Sequence, residues 1–356
     1  MCATVADVAR KVGKSQQLVS AVLNGGRSKS AASKKTRDLI EKAAEKLGYR
    51  PNSAARAVST GRFNAVGLLL STSTWKSNIT GTMLNGINRS LAADDMHLMV
   101  SGFPDETLTD DTRLPKVLRH MLVDGLIVKY DCQMPPRMVE LIRDCGLPIV
   151  WMNSKHEFDC VHPADFDAAE RATQHLLALG HTRIAFADFS PRPVWDHYSN
   201  SDRLAGYSRA MKSAGYAPCR LNDTQASVPL NDRIACATGF LSQKSNAPNA
   251  VVAAGTGDAL PVIYAAALLG LRVPEDISVI VFEGQPVNSM GLKVSTMLIP
   301  EEQMGFASAE MLRKRIAISR TARISPVEVP FGFEPGETCA PPRPAAKIRR
   351  HSRKSS

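Results

Sequence analysis

Between residues 65 and 283 short apolar runs alternate with amphipathic stretches, and no other feature of the chain restricts its fold as strongly. The runs are Ala65–Leu70, His97–Val100, Leu126–Val128, Pro148–Met152, Ile184–Ala187, Ala250–Ala254 and Val279–Phe282. The stretches between them, at 80–94, 112–122, 135–145, 164–179, 203–215 and 258–269, supply crossover helices. Strand and helix in strict turn mean an α/β fold with parallel sheets. Seven runs over so long a segment suit two sheets better than one.

In such sheets ligands bind beyond the carboxyl ends of the strands. The residues that follow the runs there are Ser71, Ser101, Lys129, Asn153, Asp188, Gly255 and Glu283, few of them apolar. Polar groups in these places suit a hydroxyl-rich or heteroaromatic ligand, and they equally suit strand ends capped by solvent.

The charge is distributed unevenly. Of the net +10 over 356 residues, residues 1–62 carry +9 and residues 341–356 carry +6, which leaves −5 for the rest. A basic head on a mildly acidic body is the footprint of a module that binds a polyanion. Within that head three short helices are expected. Thr4 and Asp7 form a capping-box-like start, and Val5, Val8, Ala9 and Val12 recur at helical spacing. Gly13-Lys14 breaks the first helix and Ser15 caps the second, where Leu18, Val19, Val22 and Leu23 share one arc. Gln16, Gln17, Ser20, Ala21 and Asn24 occupy the opposite arc. A third helix turns Leu39, Ile40, Ala43, Ala44 and Leu47 inward and ends at Gly48. Helix, tight glycine turn and a second helix with an amide-rich outer face make a helix-turn-helix, because an amide donates and accepts together, as a base edge requires. The segment from Pro51 to Arg62 is alanine-rich yet shorter than the ~12–15 residues that an isolated helix needs, so by itself it reads as a linker.

Several classes are not expected. No run of 18 apolar residues occurs and the first residues lack a signal peptide's apolar core, which speaks against a membrane span or export. Seven scattered cysteines without a CxxC pair read as reduced thiols in the cytoplasm. There is no GxSxG elbow, Walker A loop or HExxH pair, and Gly255-Thr-Gly-Asp258 lacks the third glycine of a dinucleotide site. An enzyme is not expected, and no cofactor or metal is implied.

The stretches ATVADVARKVGKSQQLVSAVLNG and IEKAAEKLGYRPNSAARAVSTGR are followed by TQHLLALGHTRIAF, SDRLAGYSRAM, LGLRVPEDISVIVFE, PEEQMGFASAEML and an ending near ETCAPP. In order and spacing they resemble the lactose-repressor/galactose-repressor (LacI/GalR) family of transcription regulators over about residues 3 to 342. That resemblance implies a DNA-binding head over 1–49, a hinge helix over 50–62 and a core over 63–340. The core would have two periplasmic-binding-protein-like lobes, about 63–162 plus 296–323 and about 163–295 plus 324–340. Residues 341–356 would be a disordered basic tail. Thr4, Ser15, Gln16, Gln17, Ser20, Asn24 and Ser30 would face double-stranded DNA. The hinge would fold only on DNA, with Asn52, Ala55 and Val58 against the operator and Val58 as a minor-groove wedge. Trp75, Asn78, Asn153, Arg203 and Glu283 would take a small effector between the lobes. The whole would be a homodimeric, cytoplasmic repressor on a pseudo-palindromic operator, its effector a sugar or sugar derivative.

The chain also departs from that pattern. Ala21 stands where the family usually has Arg, and Val58 where it usually has Leu, a loss of one methylene or about 0.8 kcal/mol of burial. Asn153 and Glu283 replace the common Asp, Gly255-Thr256 replaces Asn-Asp, and Trp75 lies where SNPFF is usual. A loop over 188–202 brings Trp195 and Tyr198 towards the cleft mouth. These departures leave a purine or nucleoside effector, a regulator without an effector, and a solute-binding protein as competing expectations.

Overall fold

The computed structural model describes residues 3–24, 32–50, 61–189, 197–221, 229–243, 247–289, 291–319 and 321–343. The chain divides into two units, residues 1–65 with 120–124 and the remainder.

In the first unit, α1 (Val5–Val12), α2 (Gln16–Asn24) and α3 (Lys34–Lys46) pack around Val8, Val19, Val22, Ile40 and Ala44. The capping box at Thr4 is present: Asp7 N–H donates to Thr4 Oγ1 at 3.3 Å and Thr4 N–H to Asp7 Oδ2 at 3.0 Å. The Thr4 hydroxyl, which donates to Asp7 Oδ2 at 2.7 Å, and then the Thr4 N–H hold the Asp7 carboxyl below the usual carboxylate range. Gly13 closes α1 at φ 63°, a left-handed value that suits glycine. One expectation fails. Leu39 is not inward but 49% exposed, because Ile40, one residue and about 100° further round, points the core-facing stripe away from it.

The second unit holds two sheets. The first has the order β12-β5-β4-β3-β1-β2, from β1 (Ala65–Ser71), β2 (His97–Phe103), β3 (Gly125–Lys129), β4 (Ile149–Met152), β5 (Cys160–Pro163) and β12 (Val327–Val329). The pairs β1–β3, β3–β4, β4–β5 and β5–β12 are parallel, with Leu68 opposite Ile127 and Lys129 opposite Met152. The second has the order β10-β11-β9-β8-β6-β7, with β13 also on β11. Its strands are β6 (Ile184–Ala187), β7 (Cys219–Arg220), β8 (Ala250–Ala253), β9 (Ser278–Glu283), β10 (Val287–Ser289), β11 (Leu292–Leu298) and β13 (Gly332–Glu334). Only β10 and β13 run antiparallel to their neighbour β11. In both sheets the order reverses in the middle, between β1 and β3 and between β6 and β8. Such reversal points leave a crevice at the strand ends.

Helices cover the sheets. The expected crossovers occur as α4 (Gly81–Ala92), α6 (Arg113–His120), α7 (Pro136–Asp144), α8 (Asp165–Ala178), α9 (Tyr198–Ser213) and α11 (Thr256–Leu268), beside a single turn α5 (Asp105–Leu108). Two further helices, α10 (Leu230–Leu241) and α12 (Glu301–Ala317), were not among the expected crossovers, since neither carries a sharp apolar stripe. The lobe boundaries also shift. Residues 296–298 belong to the second sheet, because Thr296–Leu298 pair with β9 on one side and β13 on the other, and every backbone group there would otherwise be orphaned. Val327–Val329 return to the first sheet beside β5 instead of joining the second.

Helices α4 and α12 approach closely enough to touch backbone to backbone. A Cβ on Gly86 would lie 2.0 Å from the Glu302 carbonyl oxygen, and one on Gly305 would lie 2.2 Å from that of Met83. This contact leaves no room for a side chain between the two helices at either glycine. Gly305→Ala should therefore lower stability by ~1–3 kcal/mol, seen as a fall of several degrees in Tm. Gly239→Ala on α10, where an added Cβ meets nothing within 4 Å, should leave Tm unchanged or raised. Equal effects from the two substitutions would refute the close-packing account.

Candidate functional site

On the head, α2 turns Val19 and Val22 inward, which leaves Ser15, Gln16 and Gln17 exposed and Ser20 half-buried. Ser15 Oγ accepts the Leu18 N–H at 3.3 Å, so this side chain caps the helix whose first turn carries the two glutamines. Thr4 is exposed at the start of α1. Asn24 ends α2. Ser30, Asn52, Ala55 and Val58 lie outside the described residues, as do most of the hinge expected over 50–62, Trp195 and most of the tail.

Within the second unit the strand ends surround a cavity of about 300 Å³. Trp75, Asn78, Asn153, Arg203 and Glu283, the five residues expected to take an effector, all line it. Of the other polar strand-end residues, Lys129 lines it as well. Ser71 does not: its Oγ donates to Asp105 at 2.9 Å, and Asp105 also pairs with Lys76. Asp258, in the first turn of α11, is not among the lining residues; it is buried and accepts the Phe189 N–H at 2.7 Å, and burial raises its carboxyl to about 6.

Each wall has a physical reason to stand where it does. At the end of β4, Asn153 adopts φ 61°, a left-handed value that asparagine tolerates. Its Nδ2 donates to Asp131 at 2.7 Å, its Oδ1 accepts Tyr198 Oη–H at 3.0 Å, and its carbonyl accepts His197 Nε2–H at 3.1 Å. The replacement of the family's usual Asp by Asn153 thus creates an amide that both donates and accepts, tying the first sheet to α9. Lys129, 1% exposed, pairs with Asp131. Arg203 donates through Nε to Asp165 and through a terminal nitrogen to the Ala254 carbonyl, each at 2.7 Å, with its guanidinium 4.6 Å from the Phe282 ring centre. It is no exposed surface ion pair.

Two acids complete the wall. Glu283 ends β9 and accepts the Thr256 hydroxyl at 2.6 Å, so the Gly255-Thr256 departure supplies a partner to the acid that replaces Asp. Glu301, in the first turn of α12, accepts the Thr80 hydroxyl at 2.8 Å, and Thr80 is the N-cap of α4. Burial, then the charge of Glu283, pushes the Glu301 carboxyl up. Sequence reasoning missed Glu301, Asp165 and Asp131. An acid in the first turn of a helix reads as a favourable end charge and gives no sign that it faces a cavity. Among the described residues no three His, Cys, Asp or Glu side chains come together to hold a metal ion.

Residues 4–52 match the family described as bacterial regulatory proteins, lacI family, and residues 173–339 match the periplasmic binding protein-like domain. The chain is 29% identical over 338 residues to the HTH-type transcriptional regulator GntR of Escherichia coli (strain K12), covering 92% of this chain and 95% of that one. It is 26% identical over 324 residues to the HTH-type transcriptional repressor PurR of Pectobacterium carotovorum, covering 89% and 92%. Its fold is similar to that of the lac repressor dimer bound to operator and the anti-inducer ONPF, with a TM-score of 0.71 at 21% identity over 96% of this chain and all of that one. The transcriptional regulator CelR in its cellobiose complex matches with a TM-score of 0.59 at 22% identity, over 94% and 99%.

His197 provides a test of the cavity's interior. It caps α9, taking the Ser199 N–H on Nδ1 and donating from Nε2, so only the neutral ring fits both roles. Burial holds its pKa below the usual value. Its protonation midpoint, followed by nitrogen NMR, should lie below the ~6.5 of a free imidazole. Because the folded pKa is the lower one, the stability His197 contributes is present above ~6.5 and is lost as the pH falls below it. A midpoint at or above the free value would refute this packing.

Proposed function

Starting from a chain that belongs to the LacI/GalR family of DNA-binding transcription regulators, which are not enzymes, we propose how this member reads DNA and what controls it. Two heads of a homodimer bind a pseudo-palindromic operator, each laying α2 in the major groove with Gln16 and Gln17 towards base edges. Thr4 and Ser30 meet phosphates, Ser15, Ser20 and Asn24 lie along the groove, and Asn52, Ala55 and Val58 follow the hinge into the minor groove. A small effector, a carbohydrate or its derivative, binds in the cavity and alters operator affinity through a coupling of ~1–3 kcal/mol. The protein acts in the cytoplasm; among its described residues no helix is long and apolar enough to cross a membrane.

The observation that carries the effector reading is the convergence of Trp75, Asn78, Asn153, Arg203 and Glu283 from distant parts of the chain on one cavity. An aromatic plane beside amides and carboxylates matches the apolar face and hydroxyl rim of a sugar ring. A second copy is supported by β2, an edge strand that exposes Met99 and Val100. An apolar edge of this kind needs cover.

Binding of the purified protein to fragmented genomic DNA, followed by sequencing, tests the DNA half. A recurring palindrome supports it, and diffuse, salt-sensitive binding without a common sequence overturns it. Gln17→Ala should relax preference at one operator base pair by ~1–3 kcal/mol; an unchanged ranking of operator variants would take Gln17 out of the reading set. Trp75→Ala should leave operator affinity whole and weaken the response to the effector about tenfold, roughly 1.4 kcal/mol. A response that survives intact places the effector elsewhere.

A further inference from the structure

We infer that the ligand of this cavity is a cation, a polyhydroxylated compound carrying a protonated amine, of the amino-sugar class. The inference deepens the effector reading and rests on it.

Two cationic side chains line the cavity against four acidic ones: Lys129 and Arg203 against Asp131, Asp165, Glu283 and Glu301. Both cations are already used. Lys129 pairs with Asp131, and Arg203 with Asp165 at 2.7 Å. Glu283 and Glu301 remain, and their partners are hydroxyls and a backbone N–H: Thr256 and Gly284 for Glu283, Thr80 for Glu301. Among the described residues neither forms an ion pair. The Glu301 carboxylate rests against the Cα of Gly284, where a Cβ would come within 2.7 Å of its oxygen, so the residue after Glu283 is shaped to let the two acids approach. His197 adds no charge, since its ring is held neutral.

A second observation points the same way. The Asp165 side chain is 1% exposed and lines the cavity; one of its oxygens accepts from Arg203, and the other, Oδ2, has no partner. A buried carboxylate oxygen left without a donor is costly, and it leaves this wall of the cavity richer in acceptors than in donors.

The ligand class follows from these vacancies. An anionic ligand would meet two unpaired carboxylates and no unengaged cation. A neutral sugar could donate to the lone pairs yet would leave two carboxylates without an ion-pair partner among the described residues. An ammonium supplies three donors and cancels charge in one group. A bare metal ion finds no cage, because no three carboxylate or imidazole groups converge among the described residues. The remaining wall, with Asn78, Asn153 and Ser199, offers groups suited to hydroxyls, so the cation belongs on a polyol.

Calorimetric titration of the full chain at about pH 6.5, where such an amine is charged, tests this with glucosamine, galactosamine, their neutral parents, N-acetylglucosamine, glucuronate and the diamine putrescine. The expected result is that a hexosamine binds at least tenfold more tightly than its parent or its N-acetyl form, and that glucuronate does not bind. Glu301→Gln should shrink that preference, read as a fall in the ratio of hexosamine to parent affinity. Equal or tighter binding of a neutral or acidic sugar overturns the charge argument and leaves the effector reading intact. Putrescine binding as tightly as the hexosamines overturns the polyol part. If nothing in this set binds, the inference falls. The effector reading falls with it only if a broad metabolite screen also leaves operator affinity unmoved.

Discussion

Arg203 reaches from α9 to the first residue of α8 and to the end of β8, and its guanidinium lies over Phe282 of β9. One side chain thereby holds three elements of the second sheet's ligand-facing edge. The geometry has a demanding energetic basis. Asp165 is almost wholly buried, and a buried carboxylate that loses its only cation typically costs ~3–5 kcal/mol. A guanidinium suits this duty better than an ammonium, since its planar fork can serve a carboxylate and a carbonyl while its face packs on an aromatic ring. The cavity therefore cannot be separated from the fold that surrounds it.

The opposite wall has an equally specific cause. Gly86 and Gly305 let α4 and α12 meet through their backbones, and that meeting brings the N-cap Thr80 to the Glu301 carboxylate. Between the walls, Asn153 turns through a left-handed conformation so that its amide spans Asp131 and Tyr198. Nearly every polar atom whose partner is known in this cavity is used by another element of the protein. The two glutamates without cations are the exceptions, and exceptions of this kind are where a ligand can gain free energy over water.

Much of this was legible in the chain, and what was missed has identifiable causes. Six of the seven apolar runs are strands buried on both faces, which restricts their residue types, and the seventh, His97–Val100, is an exposed edge strand. Cys160–Pro163, Cys219–Arg220 and Val327–Val329 escaped because two to four residues with polar or proline neighbours carry no period. Leu39 was placed inside because adjacency to Ile40 was taken for membership of the same stripe. Trp75, Asn78, Asn153, Arg203 and Glu283 were legible through family resemblance and strand-end position. Asp165 and Glu301 were not, because a helix's first turn favours acids whether or not a ligand waits there.

Local patterning determined the architecture in outline: seven of the strands, six of the helices that cover them, and that a basic helix-turn-helix precedes an α/β body. Periodicity and caps are properties of neighbours along the chain, so the sequence carries them explicitly. The tertiary structure decided what the strand ends do together. Whether Arg203 is consumed by Asp165, and whether the charge of Glu283 is felt by Glu301, depends on distances between residues far apart in sequence. Charge balance in a cavity is a sum over space, and no one-dimensional pattern records it.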